Sequence, residues 1–428
     1  MTKNDYPMRK RYLALDMFSG GGGLTEGFVR QGFDFAAHIE MNKDAAETLE
    51  TRLCYHDLKQ NKDQDIYADY YQGIINREEF FSRAKETGAL TEPVINSEIS
   101  NECESRMIDS IKKNLIDHYD RPTVDVVIGG PPCQAYSLVG RGRDLKGMKD
   151  DPRNYLYRHY ISFLRAFEPE LFVFENVPGI LSAKDKTIFP DILEQCKAAG
   201  YHIDPEPRIL NASTFGVLQN RNRIVIIGWK EGTNHSYPEF RQSKLKGQVW
   251  DLLNDLPEQQ AVKGNEDIFL PYTEDASEYA RAAKIRNGFG GVRHHAARFH
   301  NDRDREIYRM AIEQWNHGEG TRLKYNELPE HLAKHKNKEV FLDRYKVVNG
   351  NGNSHAVVAH LAKDGHYFIH PDINQARSFT VREAARLQSF PDDYYFEGPR
   401  SAKYTQIGNA VPPLMAEGIA KKIRKMLR

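Results

Sequence analysis

YLALDMFSGGGGLTEGFVRQGFDFAAHIE, residues 12–40, contains the start of a fold in one line. YLALDMF is a continuous apolar run of strand length, as expected of a strand buried on both faces. SGGGG follows it. LTEGFVRQG then has the spacing of an amphipathic helix and stops at Gly32, and FDFAAHIE forms a second strand ending on Glu40. A strand, a glycine turn, a helix and a strand with a terminal carboxylate open a doubly wound α/β sheet. Glycines between strand and helix let the backbone approach a ligand closely, and Glu40 could accept both hydroxyls of a ribose. The spacing differs from the dinucleotide GxGxxG pattern and leaves no room for its pyrophosphate turn, which favours a nucleoside cofactor without phosphates. The alternative is a tight turn beside a surface carboxylate.

The alternation continues along the chain. NKDAAETLETRL predicts a helix with Asn42 as N-cap. TVDVVIGG, ELFVFENV and NRIVIIGW predict further strands, with helices over NYLYRHYISFLRAF and over DILEQCKAAG, which Gly200 closes. Residues 56–120 blur this pattern and are expected to form an insertion. Residues 231–376 are polar, irregular and rich in His, Arg and Asn, as expected of a second domain of another kind. TVREAARLQSF predicts a helix capped by Thr380, with Glu383 completing a capping box. QIGNAVPPLMAEGIAKKIRKML predicts a turn and a closing helix, so residues 377–428 are expected to return to the first domain as a hinge and terminal helix.

Composition sets the outer limits. With 428 residues, 40% hydrophobic, the chain can build one large or two medium domains, and wholesale disorder is excluded. Sixty basic residues match sixty acidic ones, so any nucleic-acid surface must be local. The segment Arg281–Arg309, with eight basic and three acidic residues, is one candidate. Cys54, Cys103, Cys133 and Cys196 show no CxxC spacing, so neither a metal site nor a disulfide framework is expected. No secretory signal and no long apolar span is apparent, and the expected setting is cytoplasmic.

Three stretches carry chemistry. GGPPCQAYS places Cys133 behind two prolines at the end of an apolar strand. A helix beginning near Ala135 would point its positive end at the sulfur and favour thiolate; the alternative is a partly buried loop cysteine. FENVPG ends the next strand, so Glu175 and Asn176 project at the same sheet edge, where a carboxyl beside apolar residues suits a general acid. The alternative there is a capping or salt-bridged glutamate. QNRNR places Arg221 and Arg223 on one side of an extended segment, a pair suited to a carbonyl oxygen or an anion, or else two surface arginines.

In this order, DMFSGGGGLTEGF, GGPPCQAYS, ENV, QNRNR, RSFTVREAARLQSFPDDY and QIGNAVPP resemble the motifs of the bacterial C5-cytosine DNA methyltransferases, with a variable region between the fourth and fifth. The resemblance covers nearly the whole chain outside residues 56–120 and 231–370. It implies a Rossmann-like S-adenosyl-L-methionine-dependent sheet and a smaller target-recognition domain. It implies that Phe18 stacks on the adenine of S-adenosyl-L-methionine, that Glu40 holds the ribose, and that Ser19, Gly20, Gly22, Gly23, Leu24 and Pro131 line the pocket. SEIS resembles the adenine-contact motif, with Glu98 where Asp is usual and Ile99 beside it. Met41 stands where a larger side chain often stacks on the adenine, and Asn409 and Val411 belong to the closing motif. Catalysis falls to Cys133, Glu175 and Arg223, with Arg221 nearby. Gln134 and Ser137 are expected to move or contact DNA.

Target recognition falls to residues 231–376, where RNGFGGVRHHAARFH, with Arg293, is a candidate for contact with DNA, the alternative being an ordinary solvated surface, and RYKVVNGNGNSHAVVAH, with Arg344, is expected near the DNA or the hinge. The implied partners are double-stranded DNA and a cognate restriction endonuclease or related defence proteins, and a monomer suits methylation of one strand at a time. Three rivals stay open at this point: a tRNA cytosine-5 methyltransferase, an inactive DNA-binding homologue, and a cysteine hydrolase. The last leaves FSGGGG unexplained.

Overall fold

The computed structural model describes residues 12–89, 93–131, 156–318, 320–334 and 342–428. Its first half runs β1 (Tyr12–Met17), α1 (Gly23–Arg30), β2 (Phe33–Ile39), α2 (Lys43–Asn61), α3 (Gln64–Gln72), α4 (Arg77–Glu86), β3 (Val94–Ile95), α5 (Glu104–Tyr119) and β4 (Val126–Gly129). It continues with α6 (Leu156–Phe167), β5 (Leu171–Asn176), α7 (Ile188–Ala198), β6 (Tyr201–Ile203), β7 (Ile209–Asn211), β8 (Gln219–Asn220) and β9 (Asn222–Lys230). The main sheet has the order β3-β2-β1-β4-β5-β9-β6, with β7 also on β9. Pairing is parallel from β3 to β5 and antiparallel from β5 onwards. The sheet grows in opposite directions from β1, towards β2 and towards β4, and such a switch point opens a crevice at the strands' carboxyl ends.

β1 shows why its sequence is apolar throughout. Tyr12 and Ala14 join one apolar cluster, while Leu13, Leu15 and Met17 join the cluster on the opposite face. Successive side chains alternate, and both faces are covered. The second cluster contains Met107, Ile111 and Leu115 of α5 together with Ala36 and Ile39 of β2, and β3 pairs with β2 through His38–Val94 and Ile39–Ile95. Part of the stretch expected to be an insertion is therefore ordinary sheet and helix. The extra elements are α3 and α4. A two-residue strand carries too little periodicity to be seen in sequence.

The second half comprises β10 (Leu270–Pro271), α8 (Glu278–Ala282), β11 (Gly291–Val292), α9 (Asp302–His317), β12 (Ser354–His355), α10 (Val381–Leu387), α11 (Arg400–Asn409) and α12 (Pro413–Met426). Thr380 and Glu383 form the expected capping box, with Glu383 N donating to Thr380 Oγ1 at 3.2 Å and Thr380 N to Glu383 Oε2 at 2.7 Å. QIGN is the last turn of α11, not a loop. α12 returns to α1, where a Cβ on Gly27 would lie 2.4 Å from Ala416 Cβ, so glycine lets the helices meet. Among the described residues, no helix is long and apolar enough to cross a membrane.

The irregular region is tied down by buried arginines. Arg377 grips Glu383 at 2.7 and 2.8 Å, and Arg386 bridges Asp255 and Asp392. Fork-shaped guanidiniums suit such paired acceptors.

Candidate active site

β4 and β5 lie side by side, with Gly129 opposite Phe174. Beyond that point the chain crowds. A Cβ on Gly130 would sit 2.1 Å from the Glu175 carbonyl oxygen and 3.1 Å from Glu175 Oε2, so only glycine passes there. Asn176 Nδ2 donates to the Pro131 carbonyl at 3.1 Å, so the end of β5 holds the entry to the segment bearing Cys133. Asn176 carried no assigned role in sequence, because a packing amide and a catalytic one look alike there. Cys133, Gln134 and Ser137 lie outside the described residues. Of the cysteines inside them, Cys54 and Cys196 are buried, and burial pushes both thiols up to about 12. Both are poor nucleophiles at neutral pH.

Glu175 pairs with Val225 across the antiparallel β5–β9 ladder, which makes Arg223 its diagonal neighbour. Arg223 Nε lies 2.6 Å from Glu175 Oε1, a close ion pair between two largely buried groups. Burial pushes the Glu175 carboxyl above its ordinary value, against the pull of Arg223 and Arg221. A buried carboxyl that resists ionisation can hand a proton to a ligand.

The two arginines do not share a side as their spacing predicted. Arg221 is fully buried, and its guanidinium donates to the carbonyls of Val357, Gly408 at 2.9 Å and Ala410 at 3.0 Å. It joins the start of β9 to the closing motif. Its charge still reaches Glu175. Gln219 has a similar joining role, donating to the Leu387 carbonyl at 3.1 Å and accepting from Val357 N at 2.7 Å.

The glycine turn divides in two. Gly20, at φ +56°, has nothing within 4 Å of where its Cβ would be, and its N–H donates to Glu40 Oε2 at 2.8 Å. Gly22 and Gly23 face protein instead: their Cβ atoms would lie 2.5 Å from the Tyr394 hydroxyl and 2.3 Å from the Val411 carbonyl oxygen. Packing therefore requires glycine at these two positions, and Leu24 is buried in the core. Ser19 Oγ donates to the Asp16 carbonyl at 3.0 Å. Tyr394, unassigned in sequence, donates to the Gly21 carbonyl at 2.7 Å.

Phe18 takes a left-handed φ of 57°, a conformation rare for a non-glycine residue and most often kept where function needs it. It is half-buried against the apolar cluster that contains Ile99. Met41 is 60% exposed, Glu98 is exposed, and Asn409 is exposed at the end of α11. Glu40 Oε1 accepts from Asn42 N at 2.7 Å. Burial pushes its carboxyl up, while the N–H groups of Asn42 and Gly20 favour its charge. Each oxygen keeps a lone pair for a further donor. Gly20 has open space where a side chain would lie, Phe18 and Ile99 belong to one apolar cluster, and Glu40 offers carboxylate oxygens beside Gly20, a set of groups that fits an adenosyl group.

The expected DNA-contact stretch behaves differently. Arg293 Nη1 reaches the Gln72 carbonyl at 3.5 Å and its Nε lies 4.0 Å from Asp267, while Arg344 stacks 4.8 Å over the Tyr325 ring. Both are half-buried and partnered within the protein. His294, His295 and His300 are buried, as is His370. Burial pulls His294, His300 and His370 down to about 3 and His295 to about 4. Folded, these rings stay neutral; unfolded, they take up protons near pH 6.5. Stability is therefore complete above about pH 6.5 and falls as the pH drops towards 4, by up to about 1.4 kcal/mol per histidine per pH unit. Thermal melts should show Tm dropping steeply between pH 6.5 and 5; a flat Tm there would contradict the buried neutral rings.

Comparison with known proteins gives one consistent family. Residues 96–425 match the model of the C-5 cytosine-specific DNA methylases. The chain is 42% identical over 446 residues to the type II methyltransferase M.Bpa9945I of Bacillus paralicheniformis, covering 97% of this chain and 99% of that one. It is 35% identical over 436 residues to the type II methyltransferase M.DdeI of Desulfomicrobium norvegicum, covering 96% and 88%. Among solved structures, one described as a DNA modification methyltransferase encoded within a prophage (E. coli) superposes with a TM-score of 0.65 at 22% identity, covering 97% of this chain and 99% of that one. That likeness supports the fold.

Proposed function

We propose, from the premise that this chain belongs to the C-5 cytosine-specific DNA methylases, that it methylates C5 of a cytosine in a specific sequence of duplex DNA, using S-adenosyl-L-methionine and a covalent bond from Cys133. The observation that carries this reading is Glu175, a buried carboxyl with a raised pKa, ion-paired with Arg223 at the edge that leads to Cys133.

Cytosine C5 is too electron-poor to attack a methyl group unaided. Addition of the Cys133 thiolate to C6 pushes an electron pair through the ring to N3, where Glu175 supplies a proton. Arg223 holds O2 as its charge grows. The resulting enamine is nucleophilic at C5. S-adenosyl-L-methionine, when bound, supplies an electrophilic methyl on a sulfonium; Phe18, Gly20, Glu40, Met41 and Ile99 would hold it. After transfer, a water or other base removes the C5 proton, the Cys133 thiolate leaves as the ring double bond reforms, and N3 returns its proton to the Glu175 carboxylate. These ring atoms cannot be reached inside a helix, so the base is flipped out. The type II names of the relatives support a paired endonuclease that cuts the same sites.

Incubation with methyl-labelled cofactor and either genomic DNA or tRNA tests the reading. Label is expected in DNA, with bisulfite sequencing placing it at one short sequence; label confined to tRNA would refute it. Within this mechanism, Asn176→Ala removes the buried bond to the Pro131 carbonyl. It should lower kcat about tenfold, the equivalent of a bond worth about 1–3 kcal/mol, with DNA affinity retained; steady-state kinetics at saturating DNA checks it.

A further inference from the structure

α3 has no counterpart in the sheet-and-helix alternation, yet it carries three buried tyrosines. Tyr67, Tyr70 and Tyr71 fall on one helical face. Every hydroxyl on that face is committed to the segment after α10: Tyr67 to the Asp393 carbonyl at 2.7 Å, Tyr70 to Glu397 Oε1 at 2.7 Å, and Tyr71 to the Asp392 carbonyl. The same face meets the irregular region. The Tyr71 ring lies 5.6 Å from Phe289 and 6.3 Å from Phe269, which flank β10 and β11, and Tyr67 lies 5.9 Å from Phe289.

Tyr71 also accepts from Arg293 N at 3.1 Å and from Arg382 Nη2 at 3.4 Å. A Cβ on Gly73, which ends α3, would lie 2.6 Å from Arg293 Nη1. On the catalytic side, Arg52 of α2 joins Glu26 of α1 to Asp393 at 2.9 Å each. One hydroxyl therefore links the extra helix, the irregular region and the closing segment.

We infer that α3 fixes the recognition region against the catalytic sheet, with Tyr71 as the positioning residue. The inference rests on the methyltransferase reading above. A recognition region held in register meets DNA ready-made; one that is loose must be ordered on binding, which weakens affinity and blurs discrimination. The chemistry at Glu175 is untouched.

Tyr71→Phe keeps the ring and leaves the Asp392 carbonyl and the Arg293 N–H without their partner. Tyr201→Phe is the control, since the Tyr201 hydroxyl donates to the Pro169 carbonyl at 2.9 Å, far from α3 in the fold. The expected result for Tyr71→Phe is a DNA KM raised about tenfold, in line with loss of a buried hydrogen bond, with kcat and cofactor KM held within about twofold of native. Bisulfite sequencing should show added methylation at near-cognate sites, and amide exchange should speed up at Arg293. Tyr201→Phe should lower Tm alone. Native methylation combined with a Tyr71→Phe protein matching Tyr201→Phe in KM, fidelity and exchange would overturn the positioning role. A native chain that methylates no duplex would instead overturn the functional reading, and is distinguished before any variant is compared.

Discussion

Glu175→Gln is expected to slow methyl transfer by about 10²- to 10⁴-fold, the range typical of a lost general acid. Glutamine has nearly the same shape and can still hydrogen-bond to a ring nitrogen, so DNA affinity should stay near native. It has no proton to give. The native carboxyl keeps its proton unusually well because burial opposes ionisation, although Arg223 and Arg221 pull the other way. Removing the carboxyl also frees Arg223 from its partner at 2.6 Å, so the loss should appear in kcat rather than in KM for DNA. Single-turnover kinetics with labelled methyl donor measures it. A Glu175→Gln protein within threefold of native, to give an order-of-magnitude limit, would remove the acid from the mechanism.

Cys133→Ala should have the largest effect of any single change, a loss of at least about 10⁴-fold in turnover. Cys54 and Cys196 cannot take its place, since both are buried, with thiols pushed up to about 12. The alanine protein should still bind cofactor and DNA, because neither the open space at Gly20 nor the recognition region involves the thiol. Equilibrium binding to the cognate duplex, measured beside methylation, separates the two effects. Native-like turnover in Cys133→Ala would exclude covalent catalysis.

Much of this could be read from the chain because it is local. β1, α1 and β2 follow from periodicity within residues 12–40, and Asn42 caps α2 as its position predicted, accepting from Ala45 N at 3.0 Å. The Thr380–Glu383 capping box is equally local. What escaped was set by distant partners. Arg377, Arg382 and Arg386 are charged, and sequence alone does not show that the distant Asp255 and a row of carbonyls, together with Glu383 and Asp392 six residues along, will bury them. The same applies to His294 and His300, which a basic stretch suggests for DNA and which the fold places in its interior. Gly22 and Gly23 read as a ligand loop, and sequence does not show that Tyr394 and Val411 also press against them and require glycine. Arg221 and Arg223 sit two residues apart, yet the break between β8 and β9 sends their side chains to different tasks.

The bond between Cys133 and cytosine C6 is the step on which all else depends, and fluorine at C5 makes it permanent, because release requires loss of a proton that the fluorinated base lacks. Cognate duplex carrying 5-fluorocytosine, incubated with the native protein and S-adenosyl-L-methionine, should give a denaturant-stable protein–DNA adduct whose peptide map places the nucleotide on Cys133. Absence of any adduct under conditions where the unmodified duplex is methylated, or an adduct on a residue other than Cys133, would contradict the account.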